Sequence, residues 1–310
     1  MDRRTFTKLI GSGTAILTAT PSLLASARTR PYIRLGAYFS EPFNDPEAWV
    51  IAHQREGYRA AYCPLRPGAS DQEISAYEHA AKQADMVIAE LWVGANTIST
   101  DEGAAREAYK KCVEYLALTD AIGANCCLNT AGTKNPPGVR GAHRDNFTRD
   151  TFEEIVEVTR KIIREVNPKR TYFSLEVMPH IFPDSADSYL QLIKAIDHPR
   201  FAVHFDPVNM VVSSRIYAMN GAAIRDFFKK LGPYIRSCHA KDVINDDTQF
   251  LPNLRECMPG TGNLDYAVLL RELSKFKDIP LMLEHLNDDG EYRTAANYIR
   301  RVGKREGIWI

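Results

Sequence analysis

Thr171-Tyr-Phe-Ser-Leu-Glu176, Phe201-Ala-Val-His-Phe-Asp206, Ile235-Arg-Ser-Cys-His239 and Ile279-Pro-Leu-Met-Leu-Glu284 are four short apolar runs, each closed by a polar side chain. Strand alternation puts Ser174 with Glu176, His204 with Asp206, Ser237 with His239 and Met282 with Glu284 on one face. A carboxylate at the end of a buried strand costs on the order of several kcal/mol unless something cationic meets it. Four such ends converge if the strands are parallel staves of one barrel. Three carboxylates and an imidazole then surround a single divalent cation.

Outward from these runs, strand-like and helix-like segments alternate along the chain. Earlier strands are expected at Tyr32–Tyr38, Tyr58–Tyr62, Met86–Leu91 and Ala124–Leu128, which makes eight. Helical patterns are clearest at Glu102–Ala121, Asp150–Val166 and Ser185–Ile196, with two more at Ala222–Leu231 and Tyr266–Lys275. Asp150, with Glu153 three residues on, is the expected N-cap of the second. Asn167-Pro168 stops that helix, and Gly123 and Gly232 are expected C-terminal caps. Strict alternation implies an α/β fold with a parallel sheet covered by helices. Eight units in this length fit a closed (β/α)8 TIM barrel, whose chemistry sits at the C-terminal ends of the strands. An open doubly wound sheet is the rival. It calls for a glycine-rich phosphate turn after the first strand, and Gly36-Ala-Tyr-Phe-Ser-Glu41 is not one.

Hydrophobic residues make up 45% of the chain and charged residues 25%, an ordinary globular balance. Lys+Arg and Asp+Glu stand at 39 each, so nothing in the charge points to nucleic acid or a membrane surface as partner. Residues 1–27 read as a leader: Arg3-Arg4 with Phe6 and Lys8, an apolar stretch Leu9–Leu24, then Ala25-Ser26-Ala27 as a cleavage site. This resembles a twin-arginine export signal and implies a periplasmic or exported protein, with the barrel domain over 28–310. The six cysteines show no C-x-x-C pair and no disulfide framework, and Cys126 and Cys127 point to opposite faces of one strand.

For the cluster itself, three oxygen donors and one imidazole suit Mn²⁺ first, with Mg²⁺ or Co²⁺ also fitting. Zn²⁺ ranks lower because it favours more His or Cys. Trp92, after the third strand, is placed to stack on a sugar ring or to pack in a lid. His143, in the loop 135–145, either closes over substrate or is a solvated loop residue. Asn129 and Thr130 end the fourth strand as hydroxyl ligands or caps. Glu90 is a fifth acid near the mouth or one half of a strand-end salt bridge. His180 and His285 follow two ligand positions closely.

Leu175-Glu176, His204-Phe-Asp206-Pro-Val-Asn209, Cys238-His239-Ala-Lys241-Asp242, Pro259-Gly260-Thr-Gly262-Asn-Leu-Asp265-Tyr266 and Leu283-Glu284-His285 resemble the sugar isomerase/epimerase superfamily of xylose-isomerase-like TIM barrels. The resemblance is strongest from about residue 172 to 300. It implies that Glu176, Asp206, His239 and Glu284 hold the metal, and that in the ketose-epimerase branch the two glutamates serve as acid and base. Asn209 stands where that branch has a substrate-gripping histidine, and Asn245 where it has an arginine. His204 is then either a replacement imidazole for substrate or a core histidine. Lys241 either meets a substrate oxygen or pairs with an acid, and Asp242 orients its neighbours.

The resulting expectation is a divalent-metal-dependent isomerase or epimerase of a small sugar or keto-sugar, working by proton transfer beside a carbonyl through a metal-bound enediolate. The alternative is a metal-dependent lyase or hydratase that expels a β-substituent from a 3-keto-glycoside or keto-polyol. An abasic-site endonuclease would need more histidine ligands and a basic groove. A non-catalytic sugar-binding module would not need two inward glutamates. Whether the chain assembles into a homo-oligomer is left open.

Overall fold

Strand and helix alternate from Leu35 to Glu306 in the computed structural model, which describes residues 31–40, 42–43, 45–135, 138–248 and 250–310. The leader read at 1–27 lies outside these residues. The first half runs β1 (Leu35–Ala37), α1 (Pro46–Arg55), β2 (Ala60–Tyr62), α2 (Asp71–Gln83), β3 (Val87–Trp92), α3 (Glu102–Ile122), β4 (Cys126–Asn129) and α4 (Arg149–Val166). There follow β5 (Phe173–Glu176), α5 (Ala186–Ile196), β6 (Phe201–Phe205), α6 (Ser214–Ala218), α7 (Asn220–Leu231) and β7 (Ile235–Ala240). A hairpin of β8 (Asp242–Asn245) and β9 (Leu254–Cys257) precedes α8 (Tyr266–Leu273), β10 (Leu281–Leu283) and α9 (Asp289–Glu306). Eight strands close in the order β1-β10-β7-β6-β5-β4-β3-β2, and every neighbouring pair is parallel. All eight expected strands are staves of this barrel. The antiparallel β8–β9 hairpin is an addition after β7.

Helix ends follow local chemistry. Gly123 caps α3 in the left-handed conformation, and Asn167 does the same for α4. One expected cap differs, and Gly232 is the cap expected of α7. The hydroxyl of Thr148, not Asp150, accepts from the Thr151 amide and starts α4, which leaves the Asp150 charge in the first turn facing the helix dipole. Gly232 ends α7 in a right-handed conformation, and glycine is needed there because the Phe276 ring occupies the space of a Cβ. The helices bury an apolar face against the outside of the barrel, with Leu116, Ile155, Ile163, Tyr189, Phe227 and Leu269 among the fully enclosed side chains. Inside, Gly36 is in register with Met282 and Ala60, and a Cβ there would stand 2.6 Å from Met282 Cε. Met282 packs with Ala60, Ala89 and Tyr62 instead. Five of the six cysteines are buried and all six are unpaired, in line with the absence of a disulfide framework. No helix among the described residues is long and apolar enough to cross a membrane.

One fold feature sets an acid limit. His53 on α1 is 2% exposed, its Nδ1 lies 2.7 Å from the Trp49 carbonyl, and its ring packs edge-on against Phe39 and Trp49. Burial outweighs that carbonyl and pushes the imidazole down to about 4. A native pKa below the unfolded value means that the unfolded chain binds the proton first. Stability is therefore unaffected above pH about 6.5 and falls as pH drops from there towards about 4, by about 2–3 kcal/mol from this residue. In urea titrations at pH 7 and pH 4.5, His53→Gln should lose less stability over that interval than the wild type by this amount. Equal losses would remove His53 as the cause.

Candidate metal centre

Glu176 is the last residue of β5, Asp206 follows β6, His239 lies in β7 and Glu284 follows β10. One ligand atom from each falls within 4.8 Å of all the others, at the C-terminal end of the staves. His239 Nδ1 is 2.8 Å from Glu284 Oε1, 3.3 Å from Glu176 Oε1 and 3.6 Å from Asp206 Oδ2. Its other nitrogen, Nε2, lies 2.9 Å from Glu90 Oε1. Asp206 is fixed by its own turn, where Oδ1 accepts from the amides of Val208 (2.9 Å) and Asn209 (3.3 Å). That leaves Oδ2 aimed at the cluster.

Lys241 Nζ sits 2.6 Å from Asp206 Oδ2 and 2.7 Å from Glu284 Oε1. Both oxygens are buried, yet neither receives a directed hydrogen bond. They are acceptors held by nearby charge alone, and a spherical cation satisfies such atoms without any demand on direction. The donor set fits one hard or borderline divalent ion. Burial works against the charges of Asp206, His239, Lys241 and Glu284, and proximity overrides it. Lys241 and His239 hold the Asp206 carboxyl well below its usual range, and His239 and Lys241 do the same for Glu284. Glu284 and Glu90 in turn raise His239 well above an ordinary histidine.

The remaining candidates separate by depth. Asn209 Nδ2 donates to Glu176 Oε1 (3.1 Å) and touches Met178 Sδ (3.5 Å), so its amide is spent on a ligand. Asn209→Asp places a second negative charge beside Glu176. The expected outcome is a kcat lowered by about 10-fold or more, well beyond a change of KM alone, because the new carboxylate repels Glu176 where the amide donates to it. A variant altered only in KM would place Asn209 on substrate. His204 corrects its substrate-binding assignment. It is fully buried, its Nε2 faces Glu90 Oε2 at 3.1 Å, and its ring is edge-on to His239 at 4.1 Å. It lies two residues deeper in the strand than Asp206, in register with Glu176. Its partner is an acid, not the backbone carbonyl expected of a core histidine.

Trp92 ends β3 with 40% of its surface exposed and its indole over Gly94, so it is not a core residue. His143 caps a short 3-10 turn, its Nδ1 accepting from the Asp145 amide at 3.3 Å. Asn129 binds both the N–H and the C=O of Ala95 and ties the loop after β3 to β4. Thr130 reaches the Val139 carbonyl. Asp242 accepts from the amides of Val243, Gly260, Gly262 and Leu264, and so folds the Pro-Gly-Thr-Gly turn. His285, in a left-handed conformation at φ 57°, turns its Nδ1 to Glu256 Oε2 at 2.8 Å. Its other nitrogen lies 3.6 Å from Glu284 Oε2. The Nε2 of His180 is buried without a hydrogen-bond partner.

Two further residues reach the cluster's surroundings without a site role legible in the sequence, Glu256 and Tyr62. Glu256 comes from β9 and meets Lys241 at 3.3 Å as well as His285. Tyr62 donates to the Leu283 carbonyl at 3.1 Å, directly before Glu284.

Known proteins agree with this architecture. A 3-dehydroshikimate dehydratase of Bacillus anthracis is 25% identical over 138 residues, which is 44% of this chain and 44% of that enzyme. D-psicose 3-epimerase from Clostridium cellulolyticum H10 superposes with a TM-score of 0.64 at 17% identity, covering 87% of this chain and 99% of that one. A xylose isomerase-like TIM barrel protein from Mycobacterium smegmatis in complex with magnesium gives 0.63 at 15% identity, over 90% and 98%. At these identities the two structures share a fold with this chain. The xylose isomerase-like TIM barrel family matches residues 52–302, and the chain belongs to it.

Proposed function

We propose that this chain is a divalent-metal-dependent isomerase or epimerase of a sugar or keto-sugar, working by proton transfer at carbon beside a carbonyl. The observation that carries this reading is the pairing of two glutamates around one cluster. Glu176 on β5 and Glu284 after β10 are separated round the barrel by β6 and β7, and both present an oxygen to the same point. A cation held by Glu176, Asp206, His239 and Glu284 would supply a Lewis acid for the carbonyl and fix the substrate's orientation. Mn²⁺ is the first choice for that donor set, with Mg²⁺ or Co²⁺ next. One glutamate takes the proton from carbon and the other returns one, to the opposite face or to the neighbouring carbon. Lys241, with its ammonium beside Glu284, offers positive charge where a substrate oxygen becomes negative.

A second reading is favoured by the dehydratase similarity. The same base removes the proton beside a ketone, a C=C bond forms, and the C–O bond to a β-substituent breaks. The departing oxygen is protonated by the second glutamate. The test is product analysis by NMR with chelator-treated, Mn²⁺-restored protein and a panel of free sugars, keto-sugars and 3-keto-glycosides. An intact skeleton with altered stereochemistry or carbonyl position supports the first reading, and loss of the β-substituent supports the second. Turnover that survives chelation would sink both.

We also propose export through the twin-arginine route, supported by Arg3-Arg4, the apolar stretch and Ala25-Ser26-Ala27. Arg3→Lys with Arg4→Lys should retain the chain in the cytoplasmic fraction, and unchanged partitioning would refute it.

A further inference from the structure

Glu90 on β3 is 1% exposed, and each of its oxygens faces imidazole nitrogen: Oε1 at 2.9 Å from His239 Nε2 and Oε2 at 3.1 Å from His204 Nε2. The Ser237 hydroxyl also donates to Oε2. No Lys or Arg meets this carboxylate among the described ion pairs. Such a buried charge is expensive, and a purely structural pair would be replaced by apolar residues with little loss. What it contacts sets it apart. His239 uses Nδ1 toward Glu176, Asp206 and Glu284, and Nε2 toward Glu90.

We propose that Glu90 is the positioning residue of the metal centre: it fixes the ring plane of His239 and keeps the proton on Nε2, so that the Nδ1 lone pair is presented to the cation. A histidine ligand whose second nitrogen donates to a carboxylate is a stronger and better-oriented ligand than a free one. His204 and Ser237 hold Glu90 from the far side and take no part in ligation. The inference rests on the metal centre proposed above, with His239 as a ligand.

The test is Co²⁺ titration of the chelator-treated chain, read by chelator competition and by the visible absorption of the bound ion. Wild type should bind one Co²⁺ per chain. Glu90→Gln should keep that stoichiometry, bind about 10–100-fold more weakly, and show an altered visible spectrum. Ser237→Ala, which touches Glu90 but not the cluster, should stay within about 3-fold of wild type. If Gln does not fold at this buried position, Glu90→Asp shortens the reach by a methylene and should weaken binding in the same way. Wild-type affinity and spectrum in the Glu90 variants would overturn the proposal. Two ions in wild type falling to one in Glu90→Gln would also overturn it, making Glu90, His204 and His239 a second metal site. Absence of any binding by wild type would instead strike the metal centre itself.

Discussion

Glu284→Gln is expected to lower kcat by about 10²–10⁴-fold while leaving the fold intact, and Glu176→Gln should do the same. The amide keeps the size and one oxygen donor but cannot accept a proton. On the proposed reading Glu284 is a ligand as well as a base, so weaker metal binding would contribute part of the loss. Assays at saturating Mn²⁺ remove that part. Glu284 is also poised for the role by its surroundings. Burial favours its neutral form, but His239 and Lys241 keep it ionised, the state that the proposed base requires. Steady-state kinetics at several Mn²⁺ concentrations check the prediction. Full activity in either glutamate variant at saturating metal would contradict the assignment of acid and base.

Lys241→Met is expected to destabilise the metal-free chain by about 3–5 kcal/mol and the Mn²⁺-loaded chain by much less. Lys241 is 3% exposed and lies within 2.7 Å of oxygens of both Asp206 and Glu284. Its ammonium and the His239 imidazole are the nearest positive groups to those two acids, with His285 Nε2 3.6 Å from the outer oxygen of Glu284. Truncating it to a thioether of similar length leaves Asp206 and Glu284 facing each other across an apolar stem. A divalent ion neutralises the same oxygens, so the loss is recovered on loading. For a chain of 310 residues, each 1 kcal/mol shifts Tm by roughly 1.5–2 °C. Thermal unfolding with chelator and with Mn²⁺ should therefore show a variant deficit of several degrees that closes when metal is added. An equal deficit in both conditions would mean that Lys241 and the cation do not share the same charges.

The barrel and the four clustered side chains are legible in the sequence for one physical reason. A polar residue that closes an apolar run is a local signal, and parallel staves bring local signals together at one end. His204 shows where that signal stops. Its face is given correctly by alternation with Asp206, but its depth is not, and depth decides whether a side chain meets substrate or Glu90. Glu90 itself is visible as an acid near a strand end, while its partners lie 114 and 149 residues further along the chain, so its role needs the closed barrel. Glu256 is hidden differently. Leu254-Arg-Glu-Cys257 is short and half-exposed, without enough alternation to announce a strand, and only its pairing with Asp242–Asn245 carries Glu256 to Lys241. α9 escapes notice because Gly290 and Gly303 interrupt a largely polar pattern. Gly303 is tolerated there because Ile310 packs where a side chain would stand. Asn209 is found by position, and its hydrogen bond to Glu176 is a contact that the sequence does not show.

The most direct measurement is hydrogen exchange at carbon. The Mn²⁺-loaded chain is incubated in D₂O with the keto-sugar or 3-keto-glycoside it turns over, and the substrate is followed by NMR. The account predicts deuterium at the carbon beside the carbonyl, lost on chelation, restored by Mn²⁺ and absent in Glu176→Gln and Glu284→Gln. Conversion of that substrate with no solvent hydrogen entering any carbon, or exchange that persists in both glutamate variants, would contradict it.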